Sequence, residues 1–351
     1  RIKYVITLDS DTQLPRESAR QFIETMAHPL NHARYDEKKQ RVIGGYGVLQ
    51  PRVTMSLSGM NRSLYARMYT NEWGIDPYTR SVSDVYQDLF SEGSFIGKGI
   101  YDVDVFDKVL GSRFPDNRIL SHDLLEGCYI RSGLLSDVPL YEEYPSSYHD
   151  DVGRRRRWIR GDWQVAHWIM PRVLEADGQL HPNPLSLLSR WKLLDNLLRS
   201  LAPPSLFLLL FFGWSMLSFP GGWTWEVAAI ILLPSFMSTL LNLFQKSNEI
   251  TLRQHFGNVR EATFRRFFLA AFSFACLPYE AFYTLDSIVR AIWRLSFSHR
   301  KLLEWKSSDS KSVQPRNGLA ATFRIMWIIP YVVGISALLF TLLRPELLPT
   351  A

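Results

Sequence analysis

The chain has 351 residues, with 40 Lys plus Arg against 34 Asp plus Glu and a formal charge of +6. The basic residues gather beside apolar runs and in one tight cluster, with no stripe of interleaved Arg and aromatic residues. A membrane and a phosphate group are therefore the partners to expect, and a nucleic acid is not. The two cysteines, Cys128 and Cys276, lie far apart, which excludes a disulfide framework and a metal–thiolate site. The length suggests two domain-sized units. Composition divides near Arg199: mixed and charged before it, long apolar runs separated by basic patches after it.

Residues 1–8, RIKYVITL, read as a buried strand ending at once in Asp9-Ser10-Asp11. Residues 15–26 read as a helix with Pro15 near its start, 41–53 as a second strand punctuated by glycine, and 57–69 have helical spacing. Residues 95–100, inside GSFIGKGIYDVDVF, are a loop or strand leading into a helix over 103–110. Residues 120–132 begin as a loop and continue as a helix, 138–144 form a short strand, and 154–170 form an amphipathic helix with a basic start. Strands alternating with helices predict an α/β unit.

The solvent changes from residue 201. Segments 201–218 and 227–244 each carry about 18 uncharged residues, enough to span a bilayer core. Their link has no Lys or Arg, and its Trp223 and Trp225 suit a membrane interface. Residues 325–343 form a further span. Residues 267–279 are apolar but short, and basic residues flank them on both sides, from Lys246 to Arg266 and from Arg290 to Lys306. Basic loops prefer the cytoplasm, so 267–295 are expected to form an interfacial or re-entrant region rather than a single crossing. The charged first domain, 1–200, is then cytoplasmic, and 201–351 form a multi-pass membrane domain.

Three clusters can do chemistry. Asp9 and Asp11 leave a buried strand together, so both can approach one hard cation such as Mg²⁺ or Mn²⁺, although such a turn can also be merely solvated. Asp123, in Ser121-His122-Asp123, is a candidate general base; the same tripeptide also reads as a helix N-cap, with Ser121 as the cap. Arg154 and Arg157 offer fixed positive charge for a pyrophosphate, and Trp158 a flat face for a sugar. A lipid-binding basic patch is the other reading of that run.

The order DxD, GSFIGKG, SHD, RxxRW, membrane spans resembles that of processive family-2-like glycosyltransferases, which share a GT-A fold with DxD, an acidic motif written TED, and QxxRW. The tracts ILSHDLLEG (119–127), RRRRWIRGDWQ (154–164) and RKLLEW (300–305) are most similar to those of cyclic β-1,2-glucan synthases, glycosyltransferase family 84. VLQPRV (48–53) and EEYPSSYHDD (142–151) fit the same layout. The resemblance implies an α/β GT-A-like catalytic domain followed by an α-helical transmembrane domain in a bacterial inner membrane. It implies inverting, processive transfer of glucose from UDP-glucose to a growing β-1,2-glucan acceptor.

Carried over by residue, Asp9 and Asp11 would hold the metal and donor diphosphate, and Asp123 would be the base. Arg154 and Arg157 would bind the diphosphate; Trp158, Gly93, Ser94 and Gly97 would bind the acceptor. Two positions depart from the pattern: Ser-His-Asp replaces Thr-Glu-Asp, and Arg154 stands where Gln is usual. The chain begins with Arg1 on the DxD strand, so the resemblance places the earlier, uridine-binding half and other domains of a longer protein outside it. A synthase of another β-glycan, a non-catalytic membrane scaffold, and a transporter using Glu280 and Asp286 are the alternatives.

Overall fold

The structure is a computed structural model that describes residues 1–56, 59, 62–69, 84–216, 220–246, 251–304 and 326–343. It forms two compact units. One comprises Arg1–Leu198 with Ile288–Ser308, and the other comprises Arg199–Ser287 with Asp309–Ala351.

In the first unit the expected strand is β1 (Tyr4–Thr7), followed by helix α1 (Ser18–Ala27). The single strand expected over 41–53 is split. β2 (Arg34–Asp36) and β3 (Arg41–Gly44) make a small antiparallel pair, and β4 (Val48–Met55) enters the main sheet. The division falls at Gly45, whose φ of +62° and contact with the His32 carbonyl admit no side chain. Helices α2 (Leu64–Tyr69) and α3 (Val85–Phe90) follow; most of the helical pattern before Leu64 lies outside the described residues.

The chain continues through β5 (Gly99–Asp102), α4 (Val103–Leu110), α5 (Asp123–Ile130), β6 (Ser132–Glu142) and α6 (Tyr148–Gln164). β6 begins earlier than expected, because a register shift opposite Pro51/Arg52 interrupts its pairing and its hydrophobic pattern. α6 also begins before the basic run. Ser147 caps it, accepting from the backbone of Asp150 at 3.2 Å, and Asp150 and Asp151 fill its first turn.

The main sheet has the order β1-β5-β4-β6, with β5 antiparallel to β1 and β4, and β6 parallel to β4. Both faces are covered, so neighbouring strand residues bury on opposite sides. Val48 joins Val109, Leu125, Tyr129 and Trp168 on the α4/α5 side. Leu49 and Ile100 join Phe22, Met26 and Leu140 on the α1 side. This is the expected α/β architecture, built as a mixed sheet.

β7 (Arg172–Leu174) and β8 (Leu180–Pro182) form a terminal hairpin. The chain then enters α7 (Leu187–Met216), α8 (Pro220–Phe244), α9 (Leu252–Trp293) and α10 (Ile328–Leu343). Among the described residues three helical stretches are long and apolar enough to cross a membrane: Leu187–Met216, Gly221–Phe244 and Leu252–Ser298. The first continues through Pro203 and Pro204. Over 267–295, where the flanking charges predict an interfacial or re-entrant segment, the chain is one uninterrupted helix. Pro278 lies inside it, and many of the flanking basic residues lie on the helix itself rather than in loops. Leu210, Val227 and Leu277 join the three helices in a small core. Gly213 lets Trp223 approach to where a Cβ would be 2.5 Å away. Leu233, Phe236 and Leu241 face outward, as lipid-facing residues do.

Gly99 begins β5 at φ +143°, with space for a Cβ only 2.0 Å from the Leu49 carbonyl oxygen. Gly99→Ala should therefore carry backbone strain of about 1–3 kcal/mol in addition to the clash. The purified protein in detergent should show a clearly lower apparent melting temperature by circular dichroism.

Candidate active site

The sheet topology creates the site. Thr7 pairs with Gly99 and Met55 with Glu142, so the end of β1, the start of β5 and the end of β6 share one rim. That rim lies at the carboxyl ends of the three parallel strands, the usual ligand edge of an open α/β sheet. It carries Asp9, Lys98 and Glu142.

Asp9 opens a tight turn in which Thr12 N donates to Asp9 O at 3.1 Å. Reciprocal backbone bonds between Gln13 and Tyr141 pin the turn to β6. Asp9 and Asp11 are both exposed there. Lys98 Nζ bridges Asp9 Oδ2 and Glu142 Oε1, each at 3.0 Å, and Thr12 Oγ1 donates to the same Glu142 oxygen at 2.7 Å. Lys98 is 11% exposed and Glu142 6%. Burial works against the ammonium, but Glu142 and Asp9 outweigh it, and the lysine pKa is held above its ordinary value. Gly97 and Gly99, at φ +88° and +143°, turn the chain so that the intervening lysine points into the rim.

Gly97 also admits Asp123: a Cβ on it would lie 2.9 Å from Asp123 Oδ1. Asp123 is about a third exposed at the start of α5. Burial raises its pKa, as do Glu126 and Asp9, while His122 and Lys98 pull it down. The N-cap reading of this tripeptide gives way: the cap position is His122, it makes no side-chain cap bond, and Ser121 instead packs on α6. His122, Asp123 and Glu126 bring potential ligand atoms within 4.8 Å of one another. His122 Nδ1 lies 2.8 Å from Glu126 Oε1, which raises the imidazole pKa to about 9. The cluster is thus a histidine paired with one carboxylate and lying beside a second.

The arginine helix meets this segment through Gly161, where a Cβ would lie 2.6 Å from Ser121 Cβ. Gln164 extends the contact. Its Oε1 accepts from Leu120 N at 2.7 Å, and its Nε2 donates to Leu302 O at 3.1 Å. Arg157 and Trp158 precede Gly161 by four and three residues, on the same helix side. Arg154 is engaged elsewhere. It bonds Asp151 at 2.8 Å and lies over the rings of Tyr144 and Trp158, while Asp151, fully buried, also takes Arg155 and the Tyr65 hydroxyl. Gly93 and Ser94 are buried behind the rim. Gly93 packs against β6, and Lys192 donates to the carbonyls of Glu92 and Gly93. Gln50, in the VLQPRV tract, accepts from Ile96 N at 2.9 Å and fixes the same loop. Trp305 lies outside the described residues.

The structure therefore gathers Asp9, Gly97 and Asp123 and adds Lys98, Glu142, His122 and Glu126. The G-K-G tripeptide carried the signal for Lys98. The four-residue spacing from His122 carried the signal for Glu126. Cys128 is buried, with its thiol pushed up to about 11, and takes no part.

This arrangement is that of a nucleotide-sugar transferase: acids at a sheet rim, a further carboxylate facing them, and an arginine helix packed alongside. Residues 4–244 match glycosyl transferase family group 2, and the chain belongs to that family. Over 338 residues, 95% of its length, it is 36% identical to the cyclic beta-(1,2)-glucan synthase NdvB of Rhizobium meliloti (strain 1021). It spans 12% of the length of that relative. The resemblance read from the SHD and RRRRW tracts is borne out at this level.

Removing Lys98 leaves Glu142 buried without its partner, a change that costs about 3 kcal/mol or more. Lys98→Met should lower the apparent melting temperature of the purified protein, whereas Lys98→Met combined with Glu142→Leu should recover part of the loss.

Proposed function

We propose that this glycosyltransferase transfers glucose from UDP-glucose to a growing β-1,2-glucan, processively and with inversion, at the cytoplasmic face of a bacterial inner membrane. The observation that supports it most is the convergence of Asp9, Lys98 and Asp123 around Gly97, together with the similarity to a cyclic β-(1,2)-glucan synthase. Asp123 accepts the proton of the acceptor hydroxyl as that oxygen attacks the anomeric carbon and UDP departs from the opposite side. Asp9 and Asp11 suit Mg²⁺ or Mn²⁺, because both are exposed hard oxygen donors on one turn and Lys98 occupies only one oxygen of Asp9. An ion held there would supply positive charge to the donor diphosphate.

Arg157 is assigned to the diphosphate, since Arg154 is held by Asp151. Arg154, bound to Asp151, orients Trp158 beneath its guanidinium for the acceptor sugar. Gly97, lacking a side chain, lets the Asp123 carboxylate rest against its backbone on the acceptor side. Gly93 and Ser94 form the floor behind it rather than a contact surface. The catalytic domain is assigned to 1–200 and the membrane domain to 201–351, with the uridine-binding half supplied by other domains of a longer protein.

Asp123→Asn should reduce glucosyl transfer in native membranes by about 10²–10⁴-fold, the usual contribution of a positioned base. Asp11→Asn should abolish the response to added Mg²⁺ or Mn²⁺. In the same membranes, radiolabelled UDP-glucose should be incorporated into glucan and UDP-GlcNAc and UDP-glucuronate should not. Incorporation of either of those two donors would favour a synthase of another β-glycan. Unchanged activity in both variants would favour the scaffold.

A further inference from the structure

The proposed reaction leaves two polar groups beside Asp123 without work: His122 and Glu126. They sit four residues apart across the start of α5, a spacing that brings side chains together on one helix face. His122 Nδ1 is 2.8 Å from Glu126 Oε1 and 3.9 Å from Asp123 Oδ1. Glu126 is 11% exposed, and a carboxylate buried to that extent without a partner is costly. His122 is half-exposed and faces both carboxylates.

We propose that His122, clamped by Glu126, is a positioning residue that holds a fixed positive charge beside Asp123 and keeps this base ionised at neutral pH. The proposal rests on the reading of Asp123 as the base and deepens it.

The groups acting on Asp123 come from three directions. From its own helix come His122 and Glu126. From the rim come Lys98 and Asp9, and Glu142 acts through the lysine it holds. From α6 comes the packing of Gly161 on Ser121. Burial, Glu126 and Asp9 all favour the protonated acid; His122 and Lys98 oppose them. Lys98 shares its charge between Asp9 and Glu142. His122 has Glu126 as its closer partner, yet it opposes the protonated acid more strongly than Lys98 does. A neutral residue there would leave the base next to uncompensated carboxylates and with a higher affinity for its proton.

Glu126 raises the His122 pKa to about 9, so the imidazolium is present below that pH and lost above it. The acid limb of kcat/KM then reports Asp123 taking up a proton, and the alkaline limb reports His122 losing one.

The test is the pH profile of kcat/KM for UDP-glucose in native membranes, for the unaltered protein and for H122N, H122K, E126Q and D123N. With H122N the acid limb should move upward, so that the loss of kcat/KM grows as the pH falls, and the limb near 9 should vanish. H122K should restore the acid limb and extend the plateau to higher pH. E126Q should draw the alkaline limb down from about 9 towards 6.5. An H122N profile that is lowered by one factor at every pH, with no rescue by H122K, would overturn the proposal. D123N separates the two levels. If D123N retains full transfer, the assignment of the base fails and this inference with it. If D123N is inactive while the H122N profile is unshifted, only the role of His122 fails.

Discussion

A lysine ammonium closed between two carboxylates is the contact on which the site depends. Lys98 joins the start of β5 to the turn after β1 and to the last residue of β6, elements far apart in the chain. Burying one charge of this kind is costly, and the pair with Glu142 is stable only because Thr12 and Asp9 complete the polar set. The contact therefore fixes where the Asp9 turn sits relative to the sheet. It also forces the backbone on each side of Lys98 into conformations that only glycine adopts freely. One of those glycines, Gly97, is the residue against which Asp123 rests. Charge pairing, backbone geometry and placement of the carboxylate are thus one constraint seen from three sides.

A second constraint holds the arginine helix to this rim. Gly161 removes the side chain that would separate α6 from Ser121, and Gln164 replaces a backbone partner for Leu120 while binding Leu302. Both residues lie one or two turns beyond the arginines. Contacts at the C-terminal end of α6 thereby position the basic run, while Asp151 at the other end fixes Arg154 and Arg155. A cluster of four arginines would otherwise repel itself; here two of them share one buried acid, Asp151, which offsets part of their charge.

Much of this was legible in the sequence where the signal was local. The apolar β-branched strand running into two acids gave β1 and its turn, and the G-K-G punctuation marked a backbone that turns sharply. Long uncharged runs marked α7 and α8. The signal failed where it depended on pairing between distant segments. Nothing near Lys98 shows that Asp9 and Glu142 are its partners, because only the β1–β5 and β4–β6 registers bring them together. The pairing of Arg154 with Asp151 is likewise invisible, because Asp151 lies in a stretch that resembles a polar loop rather than a capped first turn. The charges flanking residues 267–295 say where basic loops sit, but not whether a helix continues through them. The roles of the site residues themselves rest on chemistry rather than on the geometry alone.

The balance of charge at the rim bears on how a donor would enter. Asp9, Glu142 and Asp123 bring carboxylates to one rim, with Asp11 on the turn that Asp9 opens, and Lys98 is already shared between two of them. A diphosphate alone would be repelled at that edge, since unscreened like charges at close range cost several kcal/mol at the effective dielectric of a protein surface. Under the proposed function the donor is therefore admitted only with compensating positive charge, from a divalent cation on the Asp9 turn and from Arg157 on the docked helix. The same balance explains why a histidine kept charged beside Asp123 is useful there. Without it the base would stand among acids with one cation fewer to oppose its uptake of a proton.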